Sequence, residues 1–159
     1  MRAPSLRTER AIFREGVTRV GGVDEVGRGA LGGPVTVGIV VIESTCRPAP
    51  QGVRDSKLLT PAARVSLVPK IERWAFDYGV GSATAVEIDT YGLTVALRLA
   101  GWRAMAALQH IPELVVLDGS FDWLTQRPEA LSLFDEPLAL PDIAGAHPVV
   151  RTQVKADMT

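Results

Sequence analysis

The sequence has little cysteine, few aromatic residues and no excess of either charge. Cys46 is its single cysteine, which excludes an internal disulfide and fits a reducing compartment, so we expect a cytoplasmic protein. Aromatic residues make up only 6% of the chain, and the formal net charge is −1. Any attraction for a polyanion must therefore come from local groups of cations.

Long apolar runs are also missing. No run approaches the roughly 18 residues needed to span a bilayer, so we expect no membrane association. Residues 1–16 carry four arginines and no continuous apolar stretch, which indicates a basic N-terminal extension rather than a secretory signal. With 47% hydrophobic and 22% charged residues, the composition is that of a globular chain, and 159 residues suffice for one domain, 1–159.

The hydrophobic pattern predicts strands and helices in a mixed order. β-Branched and apolar runs predict strands at 17–23, 35–42, 78–84, 114–117 and 149–154. Helices are predicted from Thr60-Pro61 onward and over about 91–109, and Pro69 predicts a kink or break in the first of them. The run at 35–42 is apolar almost throughout, so we expect burial on both faces. The order favours an α/β fold with three antiparallel strands followed by parallel ones.

The stretch Asp24-Glu25-Val26-Gly27-Arg28-Gly29 combines three chemical features within six residues. Its two carboxylates are oxygen ligands of the kind that Mg²⁺ and Mn²⁺ prefer. Its glycines let a polymer backbone approach closely, and the arginine between them is a donor for phosphate or hydroxyl oxygens. Together these features indicate phosphodiester chemistry.

Acidic residues recur at or just beyond the ends of the predicted strands. Asp24 and Glu25 follow the first strand, Asp118 precedes Gly119 after the fourth, and Asp157 follows the fifth. Ligands commonly gather at strand ends in open α/β sheets. An acid of this kind taken alone is more often a solvated strand-end residue, but four converging acids would repel one another unless cations neutralised them.

These stretches resemble the type 2 ribonuclease H (ribonuclease HII) family. The first motif carries the resemblance most specifically, and Asp55-Ser56-Lys57, Val86-Glu87-Ile88-Asp89, Val116-Leu117-Asp118-Gly119 and Val154-Lys155-Ala156-Asp157 follow in the family's order. The resemblance implies a ribonuclease H-like, mixed five-stranded sheet with flanking helices. It also implies that Asp24, Glu25, Asp118 and Asp157 are the catalytic, metal-binding acids.

The implied activity is that of an endonuclease that hydrolyses the RNA strand of RNA–DNA hybrids, including ribonucleotides embedded in a DNA duplex. Two Mg²⁺ or Mn²⁺ ions would serve the reaction, which would leave 5′-phosphate and 3′-hydroxyl ends, as in DNA replication and repair. We expect a monomer. The implied substrate-binding residues are Gly27, Arg28 and Gly29, which would face the ribose 2′-hydroxyls, together with Ser56, Lys57 and Lys155.

Several alternatives remain open at this point. Family members continue beyond the fourth acid into further helices that are absent here, so an inactive or hybrid-binding-only fragment is the main alternative. Residues 27–32 also match the G-x-G-x-x-G pattern of dinucleotide-binding domains, but Gly33-Pro34 and a strand follow where that motif requires a helix. Trp123, in the loop after Asp118, is a further candidate for contact with bases.

Overall fold

The computed structural model describes residues 5–30, 32–125 and 148–153. The strands are β1 (Arg19–Val26), β2 (Val35–Glu43), β3 (Asp77–Ala83), β4 (Leu114–Asp118) and β5 (Val149–Gln153). The helices are α1 (Arg7–Arg14), α2 (Pro61–Trp74), α3 (Ala85–Tyr91) and α4 (Leu93–Ala106). None of these described helices has the length and hydropathy needed to cross a bilayer.

The five strands form one mixed sheet in the order β3-β2-β1-β4-β5. β1, β2 and β3 pair antiparallel, as short connections allow, whereas β4 lies parallel to β1 and β5 lies parallel to β4. The predicted mixed sheet, with an antiparallel first half and a parallel second half, is confirmed. This order places the centre of the sheet at β1, which carries the first acidic motif.

The main core lies between one face of the sheet and α4. Alternate residues of the strands point to this face, and they pack on the buried side of the helix. α4 lies so close to β3 that a side chain added at Gly79 or Gly81 would collide with carbonyl oxygens of the helix. The two glycines therefore permit the close packing that shields this face of the sheet from water.

Among the described residues, the opposite face of the sheet is covered at one end. There α1, formed by the basic N-terminal segment, places Ile12 over Val20, Leu114 and Val116. Elsewhere this second face is open within the described part of the chain, and Val80 is 61% exposed. β2 therefore alternates between buried and partly exposed residues, so the expectation that both of its faces are buried was wrong.

Pro69 does not break α2, which continues from Pro61 to Trp74. Both Pro69 and Val65 are exposed, so the carbonyl that loses its hydrogen bond lies near solvent. The helix predicted over about 91–109 is α4, Leu93–Ala106, whereas the separate helix α3 was not predicted and ends before Gly92, which has a φ of 79°. Thr60 caps α2 as predicted, since its hydroxyl accepts a hydrogen bond from the Ala63 amide at 3.2 Å.

Candidate active site

Asp24 and Asp118 occupy neighbouring positions on the two central parallel strands. The parallel register pairs Val23 with Leu117, so the next residue of each strand is one of these acids. Both project to the sheet face that also carries Val20, because side chains alternate along a strand. Neighbouring strands lie about 4.8 Å apart, so two exposed carboxylates stand side by side there.

The local sequence explains why Asp118 stands at this point. Four apolar residues, Leu114 to Leu117, are buried in the sheet, and the chain then emerges into solvent. Gly119 turns the chain with a φ of 107°, and its amide donates a hydrogen bond to the Gln153 carbonyl at 3.0 Å. Asp118 is therefore the first residue of β4 that is exposed to solvent.

Asp24 and Glu25 lie inside β1, whereas the sequence predicted them at or just beyond the end of the strand. β1 extends to Val26 because its antiparallel ladder with β2 continues through Asp24 and Glu25. Asp24 Oδ1 accepts a hydrogen bond from the Glu25 amide at 2.9 Å. The strand therefore holds the backbone of both acids rigidly.

Glu25 projects to the other face of the sheet from Asp24. Its carboxylate forms an ion pair of 3.3 Å with Arg28, and the two side chains are 18% and 57% exposed. The pairing is thus partly open to water and contributes modestly to stability. Glu25 does not lie beside Asp24 and Asp118 in this arrangement, and its role as a ligand stays a prediction.

The carboxylates of the described residues are of the donor type that a hard divalent cation prefers, but few of them lie together. Asp24 and Asp118 supply exposed oxygen donors side by side, which is the donor type that Mg²⁺ and Mn²⁺ prefer. Across residues 5–30, 32–125 and 148–153, however, no three or more Asp, Glu, His or Cys side chains cluster closely enough to hold a metal. The predicted fourth acid, Asp157, and the predicted substrate residue Lys155 lie outside the described residues.

The glycines around Arg28 form a tight turn directly after β1. Gly27 has a φ of 92°, and a Cβ at this position would collide with the carbonyl oxygen of Pro34. The Ala30 amide closes the turn on the Gly27 carbonyl at 3.0 Å, whereas a Cβ at Gly29 would meet nothing within 4 Å. The turn presents backbone and an exposed guanidinium to solvent, close to the β1 acids.

A cavity of about 180 Å³ lies between this turn and the two helices that follow β3. Arg28 stands at one side of it, and Ile88 and Asp89 of α3 line the other. Sequence reasoning assigned no role to these two α3 residues, although it noted the stretch that contains them. The cavity joins the Gly-Arg-Gly turn and α3 into one concave surface.

α3 is fixed at its N-terminus by a network centred on Glu87. The Glu87 carboxylate accepts hydrogen bonds from the Thr84 amide at 2.8 Å and from both terminal nitrogens of Arg103 at 2.6 and 3.0 Å. Arg103 also donates to the Ser82 carbonyl at 2.7 Å. The Arg103 bonds, followed by the Thr84 amide, lower the pKa of Glu87 to about 2. The Thr-x-x-Glu spacing is a capping-box pattern that the sequence alone could have indicated.

The Asp55-Ser56-Lys57 stretch forms a single 3-10 turn before α2. Asp55 accepts a hydrogen bond from the Lys57 amide at 2.9 Å, and Arg64 donates to the Ser56 and Leu59 carbonyls at 3.1 and 2.9 Å. Ser56 and Lys57 are exposed on this ordered turn. Their contact with substrate stays a prediction.

Trp123 is a core residue and not a surface for base stacking. It is 2% exposed and packs in the main core. Its position is explained by Gly101 of α4, where an added Cβ would meet the indole ring at 3.1 Å. The expectation that this tryptophan contacts bases was therefore wrong, because its ring is buried in the core and does not reach the surface.

Comparisons with known proteins agree with this architecture. A ribonuclease HII from Streptomyces griseus is 47% identical over 122 residues, which cover 76% of this chain and 51% of that protein. A ribonuclease HII from Streptomyces avermitilis is 39% identical over 151 residues, covering 94% of this chain and 64% of that protein. The crystal structure of ribonuclease H2 from Pyrococcus horikoshii OT3 superposes with a TM-score of 0.60 at 26% identity, covering 87% of this chain and 64% of that one.

The chain thus spans between about half and two thirds of the length of these relatives. The ribonuclease HII family model matches residues 21–133, which include the acidic motif of β1, the Gly-Arg-Gly turn, α3 and Asp118. The structure brings these same elements together around the centre of the sheet. On this match, which takes in well over half of the sequence, the chain belongs to the ribonuclease HII family.

Proposed function

We propose that this chain carries the catalytic acids of a metal-dependent endonuclease that cuts the RNA strand of RNA–DNA hybrids, including a ribonucleotide embedded in DNA. One observation supports this most directly. Asp24 and Asp118 lie side by side at the sheet centre, close to a glycine turn that exposes Arg28, in a chain of the ribonuclease HII family. Neighbouring acids and a cation beside a backbone-lined turn suit a phosphodiester substrate.

Asp24 and Asp118 are the residues that would hold Mg²⁺ or Mn²⁺, with Glu25 and Asp157 as further proposed ligands. Two such ions, when bound, supply an activated water and stabilise the leaving 3′-oxygen, giving 5′-phosphate and 3′-hydroxyl ends. The protein contributes rigidity, because both described acids stand on paired strands at the centre of the sheet. Preorganised oxygen donors of this kind are what such a site requires.

The Gly-Arg-Gly turn would recognise the ribose. A 2′-hydroxyl is both donor and acceptor, so it suits the exposed guanidinium of Arg28 and the backbone groups beside it. Gly29 leaves open space in which a nucleic-acid backbone fits without meeting a side chain. The ordered Ser56-Lys57 turn, and Lys155, would contact phosphates, which position the duplex without reading its sequence.

A second candidate function is binding of hybrids without cleavage. It is favoured by the arrangement of Glu25, which faces away from Asp24 and pairs with Arg28. The described residues place two neighbouring carboxylates there, and two would hold a divalent cation less tightly than a larger group of acids. A chain of this kind would still expose the Gly-Arg-Gly turn to a duplex.

The test is cleavage of a labelled DNA duplex that contains one ribonucleotide, measured with Mn²⁺, with Mg²⁺ and with EDTA. We expect metal-dependent cutting on the 5′ side of the ribonucleotide, no cutting of the all-DNA duplex, and loss of cutting in Asp24→Asn. Glu72→Gln, which neutralises an exposed acid on α2, is the matched control and should cut normally. Undiminished cleavage by Asp24→Asn would refute the assignment, and binding without cutting by the folded wild type would favour the second candidate.

A further inference from the structure

Arg98 on α4 is a buried charged residue that the proposed chemistry does not use. Its side chain is 2% exposed, and its Nε donates a hydrogen bond to the Trp123 carbonyl at 2.9 Å. The charge of the Asp122 carboxylate favours the charged form of Arg98. Burial of a guanidinium is costly unless its contacts are well placed, so the bond to the Trp123 carbonyl and the charge of Asp122 together account for this residue.

The Trp123 carbonyl belongs to a short segment that follows Asp118, residues 119–125, which we call the post-β4 segment. A second α4 side chain, Trp102, donates to the next carbonyl, that of Leu124, at 3.1 Å. Arg98 and Trp102 are four residues apart, so they lie on one face of α4 and bind consecutive carbonyls. The helix thus holds this segment at two adjacent points.

The post-β4 segment is also ordered internally. Asp122 Oδ1 accepts hydrogen bonds from the Leu124 and Thr125 amides at 2.9 and 3.0 Å, and the Trp123 ring is buried in the core. Gly101 leaves the space on α4 that this packing occupies, since a Cβ there would collide with Leu124. The segment is therefore a fixed connection between α4 and the end of β4.

Asp118 lies between two anchors as a result. On one side, the Gly119 amide is bonded to the Gln153 carbonyl of β5. On the other, the chain reaches the Arg98 contact only five residues later. The position of a carboxylate at a strand end depends on the backbone that follows it, and no other residue of β4 is exposed.

We propose that Arg98 is a positioning residue of the candidate metal site. By fixing the post-β4 segment, its guanidinium holds Asp118 beside Asp24, so that both carboxylates can bind the same cation. This inference rests on the proposed function, since it takes Asp24 and Asp118 as metal ligands. Outer residues that orient ligands typically change metal affinity by about 10–100-fold when they are replaced.

The experiment measures Mn²⁺ binding to the whole chain directly, from the electron paramagnetic resonance signal of free Mn²⁺. Arg98→Met keeps the buried volume but removes the donors and the charge, and we expect it to weaken binding about 10-fold. Arg98→Lys restores one donor and should recover part of the affinity. Arg103→Met, the same change on the same helix, loses the contacts to Glu87 and Ser82 and should lower stability without changing Mn²⁺ affinity.

Circular dichroism establishes that each variant is folded. A folded Arg98→Met that binds Mn²⁺ as tightly as the wild type would overturn the role of Arg98. If Arg98→Met does not fold, Arg98→Lys decides, because it alters the contact with the Trp123 carbonyl itself; Mn²⁺ affinity equal to that of the wild type in folded Arg98→Lys would also overturn the role of Arg98.

Failure of the proposed function is distinguishable from failure of this inference. Asp118→Asn must lose Mn²⁺ binding if the proposed function is right. A wild type that binds no Mn²⁺, or an Asp118→Asn variant that binds it normally, overturns the metal assignment and this inference with it. Binding that is lost in Asp118→Asn but retained in folded Arg98→Met overturns the Arg98 inference alone.

Discussion

Replacement of Glu87 by glutamine should reveal how strongly the wall of the cavity is held in place. The pKa of Glu87 falls from an ordinary value of 4.5 to about 2, mainly because Arg103 donates two hydrogen bonds to it. At 1.36 kcal/mol per pH unit, this fall corresponds to about 3 kcal/mol. The Arg103 side chain is 37% exposed, so solvent screening reduces our expectation to about 1–2 kcal/mol.

The sign of the pH dependence follows from the direction of this shift. A carboxyl group whose pKa is lowered by folding stabilises the protein fully above its unfolded pKa, near 4.5. That contribution is lost as the pH falls from about 4.5 to about 2, where the folded protein also takes up the proton. Glu87→Gln should therefore be less stable than the wild type at pH 7, and the difference should shrink steadily below pH 4.5.

The assay is urea unfolding followed by tryptophan fluorescence, at pH 7 and at several values down to pH 2.5. A double-mutant cycle with Arg103→Met isolates the pairwise contribution. We expect a coupling free energy of about 1 kcal/mol at pH 7 that diminishes at low pH. A difference between Glu87→Gln and wild type that stays constant over this pH range would refute the reasoning, because a contribution without pH dependence cannot come from the carboxylate charge.

Three further outcomes test the turn and the acids. Gly27→Ala should lower the free energy of unfolding, measured by urea unfolding, by about 1–3 kcal/mol, because the φ of 92° at Gly27 and the nearby Pro34 carbonyl both exclude a Cβ. Gly29→Ala, where a Cβ would meet nothing, should change it little. Arg28→Ala should reduce the preference for a ribonucleotide-containing duplex over an all-DNA duplex in binding assays, while direct Mn²⁺ titration shows no change; an unaltered preference counts against contact with the 2′-hydroxyl. Asp24→Asn should raise the melting temperature slightly in EDTA, since it removes repulsion with the neighbouring acid, and a clear fall would mean that Asp24 stabilises the fold instead.

The course of the chain was largely predictable from local patterns. β-Branched runs predicted all five strands within a few residues, because strand propensity and alternation are local properties. The cap at Thr60 and the break in regular structure around Gly27 to Pro34 follow equally from side-chain and backbone chemistry at those residues. The continuation of α2 through Pro69 and the separate helix α3 before Gly92 were not predicted, because they depend on how neighbouring elements and solvent accommodate a residue.

For the acids of the site, too, the sequence identified the candidates and the folded structure decided their arrangement. Sequence alone identified Asp24, Glu25 and Asp118 as candidates, from residue type, spacing and family resemblance. The parallel register of β1 and β4 brings together two acids that are 94 positions apart, and the alternation of β1 turns Glu25 to the other face. Register depends on how whole strands pack, so it is decided only when the sheet assembles.

Tertiary packing alone decided which other residues support the site. The position of Trp123 after β4 suggested a surface loop, yet the residue is buried because Gly101 leaves room for it on α4. Arg98 lies among apolar residues of a helix and shows its role only through the carbonyl it reaches, 25 residues away. Residue type and periodicity determined the elements and the candidate acids, while contacts between residues distant in sequence decided their arrangement, because only the folded chain brings such residues within bonding distance.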